Sequence, residues 1–245
     1  MRDDIRTTAI IPLVGAHVRF MHRLLSNISS STVPFHEVVV VASGLNLDLS
    51  ARLKKICAGF PNLPIKVVSG PLAPAGTNRN IGIENSDGNW VTFLDADDLY
   101  LPKRVERLIQ AAFHYDAAAV GHDYSTFRSP LVGLLKLSIS QVFGVRRTAN
   151  IPSARAIHSG DFVTSAAGES TNVTSLRLHH AHILVRRDVF THLRFSDTPG
   201  RNEDGIFLRD LIEQGQKFIR VDEPLSFYYL GSRLRKLAAL LVSGK

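Results

Sequence analysis

Segments of strand length alternate with segments of helical periodicity over the first hundred residues, and this alternation constrains the fold more than any other feature. Residues 37–42 contain four successive valines, which is typical of a parallel strand covered on both faces. Residues 8–14 and 64–69 predict two further strands, and residues 17–28 and 49–60 have the apolar spacing of helices. The order strand, helix, strand, helix, strand predicts an α/β fold with a mostly parallel central sheet flanked by helices.

The same pattern extends to residue 114. The sequence predicts a short helix over 77–85, a strand over 90–94 and a helix over 102–114, with a proline suited to its first turn. Residues 128–155 then carry five arginines and lysines and no acidic residue, between apolar runs. Periodicity does not distinguish a core helix, an acceptor-facing lid and a membrane-contacting segment there. Later elements are predicted at 182–185 (strand), 204–214 (helix) and 218–221 (strand).

Composition narrows the class of partner. The chain has 245 residues, a formal net charge of +7 and 44% hydrophobic residues, as expected of a globular protein with an anionic partner. It lacks any helix-turn-helix, zinc-finger or aromatic-basic signature, so nucleic acid is not the expected partner. A single cysteine, Cys57, excludes an intrachain disulfide and favours a reducing compartment. No apolar run of about 18 residues is present, so a cytoplasmic protein is predicted.

Three carboxylates follow the apolar strand predicted at 90–94. Asp95, Asp97 and Asp98 lie within four residues, so their mutual repulsion must be offset. In open α/β sheets ligands bind at the carboxyl ends of strands, and Mg²⁺ prefers oxygen ligands shared between protein carboxylates and substrate phosphates. This pattern favours a divalent-metal site that holds a diphosphate. The alternative is that one aspartate caps the helix that begins near Pro102 while the others face water.

Five stretches, taken together and in this order, resemble the family-2 glycosyltransferases of the GT-A fold over about residues 8–230. They are Ala9-Ile10-Ile11-Pro12, Glu37-Val38-Val39-Val40-Val41, Asn78-Arg79-Asn80-Ile81-Gly82, Phe93-Leu94-Asp95-Ala96-Asp97-Asp98 and Glu203-Asp204. The resemblance implies one GT-A domain over residues 1–231. Residues 1–127 would form its nucleotide-sugar-binding half and residues 128–231 its acceptor-binding half.

The resemblance also implies contacts with the donor. Pro12 would line the nucleotide pocket, Arg79 and Asn80 would contact the donor, and Asp95 would reach the ribose or base. The family usually has an Asp-Asp-Gly-Ser-like loop after its second strand, whose first aspartate reads the base. Here the loop is Ala42-Ser43-Gly44, in which Ser43 can donate or accept a hydrogen bond but carries no charge.

The same resemblance implies a metal site and a catalytic general base. Asp97 and Asp98, in the Asp-x-Asp motif, would hold Mn²⁺ or Mg²⁺, and Asp97 would also contact the donor. Asp204 would be the general base that removes the proton of an acceptor hydroxyl. The family's histidine after the last strand is missing, because Tyr228 to Ser232 stands there. Possible substitutes are His179, His180 and His182.

Structural alternatives exist for two of these motifs. Arg79 could pair with Asp87 or Glu84, although its guanidinium also suits a phosphate or a carboxylate. Glu203 and Asp204 could simply be an acid pair at a helix N-terminus, favoured by the helix dipole. From residue chemistry alone this second alternative is the stronger one.

The resulting prediction is an inverting, metal-dependent hexosyltransferase-like enzyme of surface glycan or polysaccharide synthesis. It would move a sugar from a UDP-, GDP- or dTDP-sugar to a glycan, lipid-linked or other hydroxyl acceptor. The alternatives are a haloacid-dehalogenase-type Mg²⁺ phosphohydrolase and a non-catalytic nucleotide-sugar-binding module. Residues 232–245 form a basic amphipathic tail that would either contact the inner face of a membrane peripherally or dock on the core.

Overall fold

The computed structural model describes residues 5–127, 151–158, 163–164, 170–171, 182–198 and 203–230. Most of the basic insert, two of the three histidines named above and the tail at 232–245 therefore lie outside the described residues. Among the helices that are described, none combines the length and apolarity needed to span a bilayer.

The elements that the sequence predicts occur in the predicted order, and the structure adds strands that the sequence did not predict, at Leu99–Tyr100, Ala119–Phe127, Ala154–Ala156, Val163–Thr164 and Ser170–Thr171. The strands are β1 (Thr7–Val14), β2 (Glu37–Ser43), β3 (Ile65–Gly70), β4 (Trp90–Phe93), β5 (Leu99–Tyr100), β6 (Ala119–Phe127), β7 (Ala154–Ala156), β8 (Val163–Thr164), β9 (Ser170–Thr171), β10 (Leu184–Arg186) and β11 (Phe218–Tyr229). The α-helices are α1 (Met21–Ile28), α2 (Leu47–Ala58), α3 (Ala75–Glu84), α4 (Arg104–His114) and α5 (Glu203–Glu213). Two 3-10 helices span Gly15–Phe20 and Arg187–Thr191.

One sheet organises the molecule. Its strand order is β3-β2-β1-β4-β10-β6-β11-β5, and β7 pairs with β11. The first four strands are parallel, β10 is antiparallel to both of its neighbours, and β11 is parallel to β6. The fold is thus of the expected α/β class, and its sheet is mixed beyond β4. Strands from both predicted halves of the chain alternate in this one sheet.

The valine run suits the position of β2 between β3 and β1. Val38, Val39, Val40 and Val41 are at most 2% exposed, because β2 pairs with a strand on each side and carries helices on its faces. Full burial on both faces is why the strand has no polar alternation. Pro12 of β1 lies beyond the last residue pair between β1 and β4, where a strand residue without an N–H is tolerated.

The last strand also differs from the sequence prediction, in its length. A strand was predicted over 218–221, whereas β11 continues to Tyr229. The polar stretch Asp222-Glu223-Pro224 interrupts the apolar pattern, but irregularities in the pairing with β6 around Pro224 absorb it. Pairing with β6 and β5 therefore extends a strand whose local pattern stops at Val221.

Helix α3 lies unusually close to the sheet. A Cβ at Gly82 would lie 2.4 Å from Ile10 Cγ2, so only glycine permits this distance between α3 and β1. The helix also buries Asn78, Arg79 and Asn80, each at most 9% exposed. A helix that buries three polar side chains needs polar partners elsewhere in the fold.

Candidate active site

Three predicted site residues, Pro12, Ser43 and Asp95, lie at or near the carboxyl ends of β1, β2 and β4. These strands are parallel neighbours, so their carboxyl ends meet at one edge of the sheet. Residues 94–98 leave β4 at this edge and turn toward β5, which pairs with β11. The acidic motif is therefore held between the parallel and the mixed parts of the sheet.

Asp98 is the most buried carboxylate of the motif, with no exposed side-chain surface. Its Oδ1 accepts a hydrogen bond from the backbone N–H of Tyr229 at 2.7 Å. Its Oδ2 has no hydrogen bond among the described residues and lies 2.9 Å from His182 Nε2. Burial raises the pKa of Asp98 well above its usual value, and the nearby charges of Asp95 and Asp97 raise it further. The site thus contains a fully buried carboxylate oxygen that faces the His182 ring at ion-pair distance.

His182 is fixed by neighbours on two strands. Its Nδ1 lies 3.0 Å from Ser226 Oγ on β11, and its Nε2 lies 3.0 Å from the hydroxyl of Tyr100 on β5. The Tyr100 hydroxyl also accepts a hydrogen bond from the N–H of Asp95 at 2.7 Å. Burial, followed by the charges of Asp98 and Asp95, raises the pKa of Tyr100 well above its usual value, so the phenol stays protonated.

Asp95, Asp98 and His182 form a group that fits a divalent cation. One ligand atom from each lies within 4.8 Å of the other two. Two carboxylate oxygens and one imidazole nitrogen suit a metal such as Mn²⁺. Asp97, which the sequence paired with Asp98 as a ligand, is not part of this group. His182, the one candidate histidine among the described residues, is part of this group.

Arg23 is a site residue that the sequence reasoning missed. Its Nη2 donates a hydrogen bond to the backbone carbonyl of Asp97 at 2.5 Å, and its guanidinium lies over the rings of Phe20, Phe127 and Tyr229. Burial lowers the pKa of Arg23, and the charge of Asp97 partly offsets this effect. No motif marks the residue, because it is one of several basic residues between residues 17 and 23.

Arg79 points toward carboxylates from two different elements. Its Nη1 lies 2.9 Å from Glu203 Oε1, and its Nη2 lies 3.4 Å from Asp95 Oδ1. The partners considered from the sequence were Asp87 and Glu84, but Asp87 pairs with Arg6 and His36 instead. A local pairing of Arg79 is therefore replaced by one that connects α5 to the acidic motif.

Asn80, the second expected donor contact on α3, uses its amide on the protein. Its Nδ2 donates to the carbonyl of Phe195 at 2.9 Å, and its Oδ1 accepts from the N–H of Phe195 at 3.0 Å. The side chain is buried. This pair of hydrogen bonds holds the segment that leads toward α5 against α3.

Ser43 is also fully engaged. Its hydroxyl donates to the carbonyl of Pro71 at 2.9 Å and accepts from the N–H of Ala73 at 2.7 Å. The side chain is 1% exposed. In place of a base-reading carboxylate, the chain therefore has a hydroxyl that fixes the loop between β3 and α3.

Asp204 lies in the first turn of α5, beside Glu203. Its Oδ1 accepts a hydrogen bond from the N–H of Gly205 at 2.9 Å, as a carboxylate at a helix N-terminus does. The charge of Asp204 is also felt by Arg79, so the predicted base lies near the acidic motif. The structure thus brings the start of α5 to the same edge as the end of β4.

A buried cation lies behind the group of Asp95, Asp98 and His182. Arg104 is 1% exposed, and it donates from Nε to His122 Nε2 at 2.8 Å and from Nη1 to Thr92 Oγ1 at 3.0 Å. Burial lowers the pKa of Arg104 to about 10. The His122 ring stacks on the His182 ring at 6.1 Å, which connects this buried layer to the site.

The sequence matches the model of a known family. The glycosyl transferase family 2 model matches residues 8–162, which is more than half of the chain, and the protein belongs to this family. Family membership and the GT-A fold confirm the resemblance drawn from the five sequence stretches.

Individual relatives agree with this assignment. Glycosyltransferase GlyA of Streptococcus pneumoniae is 33% identical over 128 residues, which are 51% of this chain and 18% of that protein. The structure is similar to S. aureus TarS 1-349 with a TM-score of 0.67 and 15% identity, over 92% of this chain and 60% of that one. It is also similar to mannosyltransferase PcManGT of Pyrobaculum calidifontis, with a TM-score of 0.58 and 18% identity, over 89% of this chain and 55% of that one. The chain thus spans less than two thirds of the length of these relatives.

Proposed function

We propose that the protein is an inverting glycosyltransferase that moves a sugar from a nucleoside-diphosphate sugar to an acceptor hydroxyl, assisted by a divalent metal. The observation that carries the proposal is that two groups of acidic residues lie together at the carboxyl ends of the parallel strands. The group of Asp95, Asp98 and His182 lies at the end of β4, and Arg79 links it to the start of α5, where Asp204 lies.

Similar structures support the donor class. TarS has been solved in complex with UDP-GlcNAc, and PcManGT in complex with GDP-Man and Mn²⁺. Both are similar to this chain in fold at low sequence identity, so they support a nucleotide-sugar donor but name neither base nor sugar. A UDP-, GDP- or dTDP-sugar remains the proposed donor, and Mn²⁺ or Mg²⁺ the proposed metal.

In the proposed reaction, Asp204 accepts the proton of the acceptor hydroxyl as its oxygen attacks the anomeric carbon. The bond from that carbon to the diphosphate breaks on the opposite face, so one displacement inverts the configuration. Asp95, Asp98 and His182 would hold the metal, which when bound offsets the negative charge of the diphosphate. Arg23 places a positive charge beside Asp97, where it would orient the same anionic part of the donor.

The remaining site predictions become parts of this proposal. Pro12 and Asp97 would border the donor pocket, whereas Ser43 and Asn80 would shape it by holding the loops that they bind. Residues 1–127 would supply most of the donor site and residues 128–231 most of the acceptor site, with a glycan or lipid-linked hydroxyl as acceptor. A cytoplasmic location, with the tail at 232–245 on the inner face of a membrane, is the proposed setting for surface glycan synthesis.

The test is calorimetric titration of UDP, GDP, dTDP and CDP, each with and without Mn²⁺. We expect one nucleotide to bind with Mn²⁺ and to lose most of its affinity in Asp95→Asn. Asp188→Asn is the matched control, because Asp188 is exposed and lies far from the end of β4. It follows β10, whose last residue, Arg186, pairs with the first residue of β4, Trp90. The control should bind like the wild type.

The outcomes distinguish the hypotheses. Metal-dependent binding accompanied by transfer of the sugar to an acceptor supports the transferase. Binding without transfer or donor hydrolysis would favour a non-catalytic nucleotide-sugar module, for which the Ala42-Ser43-Gly44 loop is the motivating feature. Absence of binding for every nucleotide refutes the proposal. Membership in family 2 leaves the phosphohydrolase hypothesis without support.

A further inference from the structure

We infer that Arg79 is a positioning residue that fixes the helix bearing the proposed base against the donor site, and that Glu203 is its anchor. The inference rests on the proposed function, since it assigns roles within the same site. It differs from the donor contact expected from the sequence, because the guanidinium of Arg79 is occupied by protein carboxylates.

The geometry of Arg79 leaves little surface for a ligand. Its side chain is 4% exposed, with Glu203 at 2.9 Å on Nη1 and Asp95 at 3.4 Å on Nη2. The guanidinium carbon lies 5.3 Å from the centre of the Phe195 ring, which covers one face. A planar guanidinium held at two nitrogens has a defined orientation, which a single contact would not impose.

The charges explain why the side chain remains ionised and fixed. Burial alone would lower the pKa of Arg79, but the charges of Asp95, Asp204 and Glu203 outweigh it and raise the pKa above its usual value. One buried cation is therefore shared by an acid of the metal-binding group and by both acids at the start of α5. Removing it would leave carboxylates from two elements facing one another without a counter-charge.

The rest of α3 is shaped to dock the same segment. A Cβ at Gly76 would lie 2.3 Å from the carbonyl oxygen of Ser196 and 3.4 Å from Glu203 Cγ, so glycine permits the close approach. Thr77 Oγ1 donates to Asp197 Oδ1 at 3.0 Å. Together with Asn80, which brackets the backbone of Phe195, these contacts make α3 the surface on which the start of α5 is placed.

Glu203 and Asp204 have different roles in this inference. The carboxylate of Glu203 binds Arg79, whereas the Oδ1 of the neighbouring Asp204 accepts a hydrogen bond from the backbone N–H of Gly205. Glu203 would thus set the position of α5, and Asp204 would face the acceptor hydroxyl. Because a displacement of about 1 Å can reduce catalysis about 100-fold, the anchor should matter for turnover more than for donor affinity.

The experiment compares Glu203→Gln, Arg79→Lys and Arg79→Met with the wild type. We expect Glu203→Gln to lower kcat about 10- to 100-fold while the Kd of the nucleotide, measured by calorimetry with Mn²⁺, changes less than twofold. Arg79→Lys, which keeps the charge, should retain more kcat than Arg79→Met. The double variant Glu203→Gln with Arg79→Lys should lose less than the product of the single losses, since both remove one interaction.

Controls keep the inference separate from misfolding. Glu213→Gln removes an exposed carboxylate at the other end of α5 and should leave kcat unchanged. If the Arg79 variants do not fold, Gly76→Ala separates the same surfaces without touching a charge, and it should lower kcat with the nucleotide Kd retained.

Two results would overturn the inference. One is an unchanged kcat in Glu203→Gln. The other is a nucleotide Kd raised tenfold or more in Glu203→Gln with kcat retained, which would return Arg79 and its partner to donor binding. If the wild type itself neither binds a nucleotide nor transfers a sugar, the proposed function fails instead. Urea unfolding of the Arg79 and Glu203 variants would then still measure whether the pair couples α3 to α5.

Discussion

Gly82→Ala should separate α3 from the sheet and weaken the site from a distance. The added Cβ would lie 2.4 Å from Ile10 Cγ2 and 3.2 Å from both Ile10 Cδ1 and Cγ1. Carbon atoms in proteins meet at about 3.5–4.0 Å, so α3 or β1 would have to move by more than about 1 Å. Ile10 is fully buried in the middle of the sheet and has little room to yield.

The expected cost can be worked from two opposing contributions. Overpacking of a well-packed core costs about 1–3 kcal/mol, whereas alanine in place of a helical glycine gains about 1 kcal/mol in propensity. Because Ile10 has little room to yield, the overpacking cost should lie in the upper part of its range, at about 2–3 kcal/mol. The free energy of unfolding should therefore fall by about 1–2 kcal/mol, which for a chain of this size lowers Tm by about 2–8 °C. Movement of α3 would also displace Arg79, so kcat should fall more than stability alone requires.

The assay is urea unfolding followed by circular dichroism, in a double-mutant cycle with Ile10→Ala. Ile10→Ala removes all three clashing carbons and should cost about 2–5 kcal/mol alone. The loss of unfolding free energy in the double variant should be smaller than the sum of the two single losses by about 1 kcal/mol or more. Gly70→Ala is the control, because a Cβ there meets nothing within 4 Å, and it should change stability by less than about 0.5 kcal/mol.

Either of two results would refute this reasoning. A Gly82→Ala protein as stable as the wild type would show that the space between α3 and β1 is not limiting. Strict additivity with Ile10→Ala would show that the loss arises elsewhere, for example in the unfolded state.

Two further predictions concern Ser43, which holds the loop between β3 and α3, and the group of Asp95, Asp98 and His182. Ser43→Ala removes the hydrogen bonds to Pro71 and Ala73. It should lower the free energy of unfolding, measured in urea, by about 1–3 kcal/mol and weaken nucleotide binding. Unchanged values for both would contradict the role of Ser43 in holding the loop. Because burial raises the pKa of Asp98, the carboxyl keeps its proton to a higher pH than an ordinary aspartate, and a cation must displace that proton. Calorimetric Mn²⁺ affinity should therefore increase with pH, and an affinity that decreases as pH rises from 5 toward 7 would exclude Asp98 as a ligand.

The sequence was most informative where structure depends on neighbouring residues. The valine run predicted β2, and the apolar strand before Asp95 placed the acidic motif at a strand end, because strand burial and strand termination are local properties. The α/β class followed from the alternation of these local elements.

The parts that could not be predicted depend on pairing between distant residues. The contact of Arg79 with Glu203 joins residues 124 positions apart, and nothing in either motif names the other. The length of β11 depends on β6 and β5, so its own polar stretch was misleading. His182 was one of three candidates that periodicity could not separate, and Arg23 had no motif at all.

The position of β10 between β4 and β6 has a consequence for how the chain is made on the ribosome. During synthesis β4 emerges about ninety residues before Leu184–Arg186. The side of β4 that pairs with β10 therefore stays unpaired while the whole basic insert is translated. An unpaired strand edge invites pairing with other chains. We therefore expect the nascent protein to pass through a stage at which it depends on the ribosome surface or a chaperone, ending when β10 is inserted.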